Sequence, residues 1–317
     1  MSEAHDSNRA EKHESQGIDK SIDRLERKRD AREPLRVAGR LRSQKVRGGA
    51  EKFLTRSTSG AIYAIIVFIC TFLGIEATAI MIAAMAWLCC SEFFRMCRMA
   101  GRMPSEVLGL GAAILYPIGV LINGYQSLVV VTIILCVCVA VWYVITPRAS
   151  IGDVAVTIFG PIYTSFLFSS IVFIRQADPG IEGALLTFGT MGSIWLNDAF
   201  AYLVGSRVGH HKMAPRISPN KSWEGMWGGM VGSMVVWILI SVLNIMDVSL
   251  PLAIITALLS GATGVIGDLF ESRIKRGVGV KDSGNIMPGH GGLLDRSDSM
   301  LFGATAVYIV LFIGGIV

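Results

Sequence analysis

Long apolar runs broken by short polar stretches dominate the chain after residue 57, and they constrain its fold more than any other feature. A helix needs about 20 mostly apolar residues, within a working range of about 17 to 25, to cross a bilayer. Nine segments qualify: 59–75, 77–94, 107–122, 127–146, 154–174, 182–205, 225–246, 250–270 and 299–317, with only Glu76 between the first two. Charged residues make up 17% of the 317, against about 25% in soluble domains. This balance excludes a soluble enzyme, a collagen-like chain, a disulfide-rich secreted protein and a basic nucleic-acid-binding domain. The expectation is an all-α polytopic membrane protein of about nine transmembrane helices.

The charge that does occur is unevenly placed. Residues 1–57 carry 15 Lys or Arg and 10 Asp or Glu, which accounts for the whole net charge of +5. This stretch lacks the short apolar core and cleavage site of a signal peptide and reads as a flexible cytoplasmic tail. Its basic part, 36–56, is suited to anionic lipid headgroups beside a span. Residues 58–317 read as the membrane domain. With the tail cytoplasmic and nine spans, 28 of the 29 basic residues fall on the inner side and only Arg175 outside, the bias that the positive-inside rule expects. The N-terminus is then cytoplasmic, the C-terminus outside, and the two richest polar loops, 206–224 and 271–298, share the cytoplasmic face. The six cysteines form no CxxC pair and read as packing residues.

Ionisable groups at membrane depth are costly and tend to mark function. Asp198 follows Asn197 in the sixth apolar run, Asp268 lies near the end of the eighth, and Asp295 and Asp298 open the ninth. Residues three apart share a helix face, so Asp295 and Asp298 point to a common ligand, and Asp268 joins them if the intervening loop folds back. Carboxylates without cysteine partners suit a hard cation such as Mg2+, which is usually held by one or two carboxylates and substrate phosphates. Lys275, Arg276, Lys281 and Arg296 supply complementary charge for a polyphosphate, and Gly277 to Gly279 and Gly289 to Gly292 permit close backbone approach. In the other loop Lys212, Arg216 and Lys221 are placed for an anionic headgroup or nucleotide phosphate. His290, between glycines, is either a phosphate contact or a turn stabiliser, and adjacent His210 and His211 cannot share a helix face.

Read together, Ser272, Ile274, Lys275, Arg276, Lys281, Asp282, Gly284, Pro288, His290, Gly291, Gly292, Leu293, Asp295, Arg296 and Asp298 resemble the signature of the phosphatidate cytidylyltransferase (CDP-diacylglycerol synthase) family. The upstream stretches GDLFES, NDAFAYLVG and ISPNKSWEG look similar to that family as well, and Met287 and Ser297 depart from its pattern without replacing a charge. The resemblance covers about residues 58–317. It implies synthesis of CDP-diacylglycerol and pyrophosphate from CTP and phosphatidate with Mg2+, with K+ as a second cation, in a dimeric helical protein of the inner (plasma) membrane that needs no nucleic acid. It also implies metal carboxylates at Asp268, Asp295 and Asp298 and a substrate-phosphate contact at Lys275. Alternatives are a CTP-dependent polyprenol or other lipid kinase and, with less support, a secondary transporter using Asp198 and Asp268.

Overall fold

The computed structural model describes residues 58–284, 286 and 291–317. The expected tail over 1–57 and the expected contact at His290 lie outside the described residues. The apolar runs become helices: α1 (Thr58–Leu73), α2 (Ile75–Met99), α3 (Glu106–Asn123), α4 (Tyr125–Ile145), α5 (Ile151–Pro161), α6 (Ser170–Gln176), α7 (Ile181–Val208), α8 (Trp223–Val242), α9 (Leu250–Gly277) and α10 (Leu294–Ile313). The break between α1 and α2 falls at Gly74, whose φ of 147° is accessible to glycine at little cost. Pro161 has no N–H to donate back into α5, and the chain widens into a π turn, Ile162–Phe166, before continuing as α6.

Among the described residues, seven helical stretches are long and apolar enough to span a membrane: α2, α3, α4, the continuous Ile151–Gln176 stretch, α8, α9 and α10. Two of the nine expected segments fall short of that standard. Helix α1 is too short, and α7, although 28 residues long, is diluted by Glu182, Asn197, Asp198 and four glycines.

Ser59–Val317 form one unit, in which α7, α8, α9 and α10 pack in sequence order and α2, α3 and α4 do the same. The largest buried cluster joins Phe93, Phe94 and Met96 of α2 to Met300, Leu301 and Ala304 of α10. A second cluster surrounds Trp237, and a third holds Tyr116 between α3 and α4. Outside these clusters the bundle is apolar, as at Val129, Val130, Ile133, Ile134, Val137 and Val141 of α4, which are all exposed. A contiguous surface of this kind would be a liability in water but matches hydrocarbon, where helices satisfy their own backbone polar groups. The chain is a multi-pass membrane protein.

The two polar loops are more structured than their composition suggests. The segment after α7 forms a hairpin, β1 (Lys212–Ala214) paired antiparallel with β2 (Ser218–Ser222), a small exception to the all-α expectation. Ser222 then caps α8 by accepting from Gly225 N at 3.2 Å. Both ends of 271–298 are helical as well, since α9 runs on to Gly277 and α10 begins at Leu294.

Candidate active site

The extension of α9 decides where the charges go. Asp268, Glu271, Ser272 and Lys275 follow at spacings of three and four, so they line one helix face, and that face meets the start of α10. Close approach of the two backbones makes this possible. Gly267 lies against the carbonyl of Asp298 with no room for a Cβ. Across the bundle, a Cβ on Gly229 of α8 would lie 2.8 Å from the Asn197 carbonyl of α7. Small residues at helix contacts of this kind are how membrane helices come close.

Two linked charge groups result. In the first, Lys221 at the end of β2 donates to Asp268 Oδ2 at 2.6 Å, and Ser272 Oγ donates to Asp268 Oδ1 at 3.2 Å. Ser299 Oγ reaches Asp198 Oδ1 at 3.4 Å, and its backbone N–H donates to Asp298 Oδ1 at 2.8 Å. Asp198, Asp268 and Asp298 lie within electrostatic reach of one another, and Glu271 within reach of Asp298. In the second group Lys275, almost fully buried, donates to Glu271 Oε2 at 2.5 Å and to Asp295 Oδ1 at 2.6 Å. The other oxygen of Asp295 accepts from Ser283 N at 2.9 Å and Gly292 N at 2.8 Å.

The expected site residues therefore divide. Asp198, Asp268, Asp298 and Lys221 come together, whereas Asp295 and Lys275 form a neighbouring pair tied to Ser283 and Gly292. Arg276 donates to the carbonyls of Ile217, at the hairpin, and Val280, at 3.3 and 3.2 Å. Lys212, Arg216, Lys281 and Arg296 are exposed. His211 is committed to Glu224, which accepts from its Nδ1 at 2.6 Å. Glu271 and Glu92 escaped the sequence reading. The three- and four-residue spacing from Asp268 and Lys275 would have found Glu271. Only its position in an otherwise apolar run marks Glu92 of α2.

Among the described residues, no three Asp, Glu, His or Cys side chains stand in metal-ligating geometry. The donor chemistry nevertheless fits a hard divalent cation: Asp198, Asp268 and Asp298 are oxygen donors flanked by two serine hydroxyls. The Lys221 ammonium shows that this place accepts positive charge.

A helical membrane protein with a carboxylate and lysine site where α7, α9, α10 and the β hairpin meet is the class that fold and site define. The chain belongs to the cytidylyltransferase family, whose pattern it matches over residues 54–314. It is similar to the phosphatidate cytidylyltransferase of Staphylococcus saprophyticus subsp. saprophyticus, with 42% identity over 118 residues, covering 37% of this chain and 45% of that protein. The Bacillus subtilis protein of the same name is 37% identical over 150 residues, 47% of this chain and 55% of the relative. The Thermotoga maritima protein, also a phosphatidate cytidylyltransferase, is 39% identical over 158 residues, 47% and 56% of the two chains. The chain spans about half the length of these curated relatives.

Proposed function

We propose that the protein transfers the cytidylyl group of CTP to phosphatidate, giving CDP-diacylglycerol and pyrophosphate for phospholipid synthesis. The observation that carries this reading is the meeting of Asp198, Asp268 and Asp298 with Lys221 where α7, α9, α10 and the hairpin come together. Similarity to proteins named phosphatidate cytidylyltransferase supports it.

A phosphatidate oxygen attacks the α phosphorus of CTP, a new P–O bond forms, and the bond to the β phosphate breaks with pyrophosphate leaving. A phosphate monoester with a second pKa of about 6 is already largely ionised at neutral pH, so the site needs no general base. Its task is to bind and orient two anions and offset the charge that develops on the departing one. Lys221, Lys212 and Arg216, on or beside the hairpin, serve this, together with Arg276, which reaches the hairpin from the end of α9, and the exposed Lys281 and Arg296. Asp268 and Asp298, with Asp198 beside them, are the residues that would hold Mg2+, with K+ as a second cation. The bound cation supplies Lewis-acid stabilisation of phosphoryl charge. Asp295, the third expected metal carboxylate, acts here by fixing Lys275.

The same reading includes the finer topology: nine spans once α1 and α7 are counted, a cytoplasmic N-terminus, an external C-terminus, and a homodimer in the plasma membrane with the site facing the cytoplasm. The basic loops at the site end support that orientation. CTP then arrives from the cytosol and phosphatidate from the bilayer.

Incubating the purified full chain with phosphatidate, labelled CTP and Mg2+, then analysing the lipids and released phosphates, tests the reaction. CDP-diacylglycerol and pyrophosphate are the expected products, and label retention as soluble CDP would make the protein a lipid kinase. Chelation is expected to stop turnover and added Mg2+ to restore it.

A further inference from the structure

Glu92 is a carboxylate buried in the last third of a mostly apolar helix, far in sequence from every residue of the proposed site. Isolated burial of this charge would cost several kcal/mol, yet its two oxygens are fully occupied. Oε1 accepts from Leu293 N at 3.1 Å, and Oε2 accepts from Leu294 N at 2.8 Å and Ser283 Oγ at 3.1 Å. The carboxylate thus sits on the free N–H groups at the start of α10, where the helix dipole also favours an anion. One turn further along α2, Arg95 Nη2 donates to the Ser283 carbonyl at 2.9 Å. Ser283 is therefore gripped through three groups: its N–H by Asp295, its hydroxyl by Glu92 and its carbonyl by Arg95. Gly284 and Gly292 press against the Glu92 carboxylate so closely that neither has room for a Cβ.

We infer that Glu92, assisted by Arg95, is a positioning residue that clamps Ser283 onto the first turn of α10 and so fixes Asp295, and through it Lys275, in the reacting arrangement. Resting on the cytidylyl-transfer reading, the inference adds to it a residue from a helix that otherwise serves packing. The clamp explains why Asp295 can spend one oxygen on Ser283 and Gly292: Glu92 holds those same two segments from the other side.

Full-length Glu92→Gln keeps the shape of the side chain and removes its charge and half its acceptor capacity. Misplacing reacting groups by about 1 Å can cost about a hundredfold in rate. Glu92→Gln is accordingly expected to lower kcat by about tenfold or more with KM for CTP changed less than about threefold. In the same protein the amides of Leu293 and Leu294 are expected to exchange hydrogen about tenfold faster while the thermal midpoint stays within a few degrees. Arg95→Gln, at an exposed position, is expected to give the same pattern at smaller amplitude, and it serves as the test if Glu92→Gln does not fold. Wild-type kcat and wild-type exchange in the variant tested would overturn the clamp, as would a lowered midpoint with unchanged kcat per folded molecule. If the wild-type protein makes no CDP-diacylglycerol, the reaction reading fails instead, and amide exchange still decides whether Glu92 holds the start of α10.

Discussion

At the scale of single residues, charge pairs that exclude one another's alternatives govern the site. Lys275 stands between Glu271 and Asp295, and all three are shielded from solvent. Lys275→Met would leave two buried carboxylates facing each other without their cation. Removing one partner of a buried pair typically costs about 3 to 5 kcal/mol, so a marked fall in thermal midpoint is expected, and an unchanged melting curve would contradict the assignment. Asp298→Asn, by contrast, removes a buried charge from the group that includes Asp198 and Asp268. Loss of one electrostatic stabiliser costs about 10² to 10³ in kcat, so Asp298→Asn is expected to insert normally and to lose turnover on that scale in a labelled-CTP assay. The individual carboxylates were legible because charge is so scarce after residue 57. Their division into two groups was not. Lys221 meets Asp268 from a different polar loop, and Glu92 reaches Ser283 across nearly two hundred positions, so no local spacing encodes either contact.

At the scale of elements, apolar runs announced the helices well and their ends poorly. Hydropathy falls where α9 leaves the apolar layer, but the helix itself continues to Gly277 because Ser272, Lys275 and Arg276 are compatible with helical backbone. That continuation turns a presumed loop into a rigid face carrying Asp268, Glu271 and Lys275. The hairpin was hidden for the opposite reason. Its strands are three and five residues long, too short for an alternating pattern to stand out from a basic, proline-containing loop. Helix contacts offer a further test. Gly267→Ala would force a methyl group into the Asp298 carbonyl, and overpacking costs about 1 to 3 kcal/mol or more. Its thermal midpoint and its turnover are both expected to fall, whereas Gly277→Ala, with open space around the same position, is expected to leave both near wild type.

At the scale of the whole molecule, polarity is concentrated in two opposite directions. The site end carries the hairpin, the C-terminal end of α9 and the start of α10. The far end holds Arg175, which is buried and donates to the carbonyls of Thr71, Asp178 and Pro179 at 3.1, 2.6 and 3.3 Å. One basic residue on the sparsely charged side is thus consumed by the backbone, which reconciles it with the charge bias read from the sequence. Topology follows as a measurement on intact cells. In a background lacking the six native cysteines, Arg216→Cys is expected to resist a membrane-impermeant maleimide until the membrane is opened. Asn123→Cys, at the end of α3, is expected to react at once, and the reverse labelling would invert the orientation.

The contact at Gly267 carries a mechanical meaning. Side-chain packing yields under lateral pressure, because rotamers shift and methyl groups slide, but two main chains already touching have almost no compliance left. The spacing between Asp268 and Asp298 is set by such a contact. Changes in bilayer thickness or lipid composition would then be absorbed where the structure is soft, along the lipid-facing surface of α4 and its neighbours. The carboxylates form a fixed gauge inside a deformable frame.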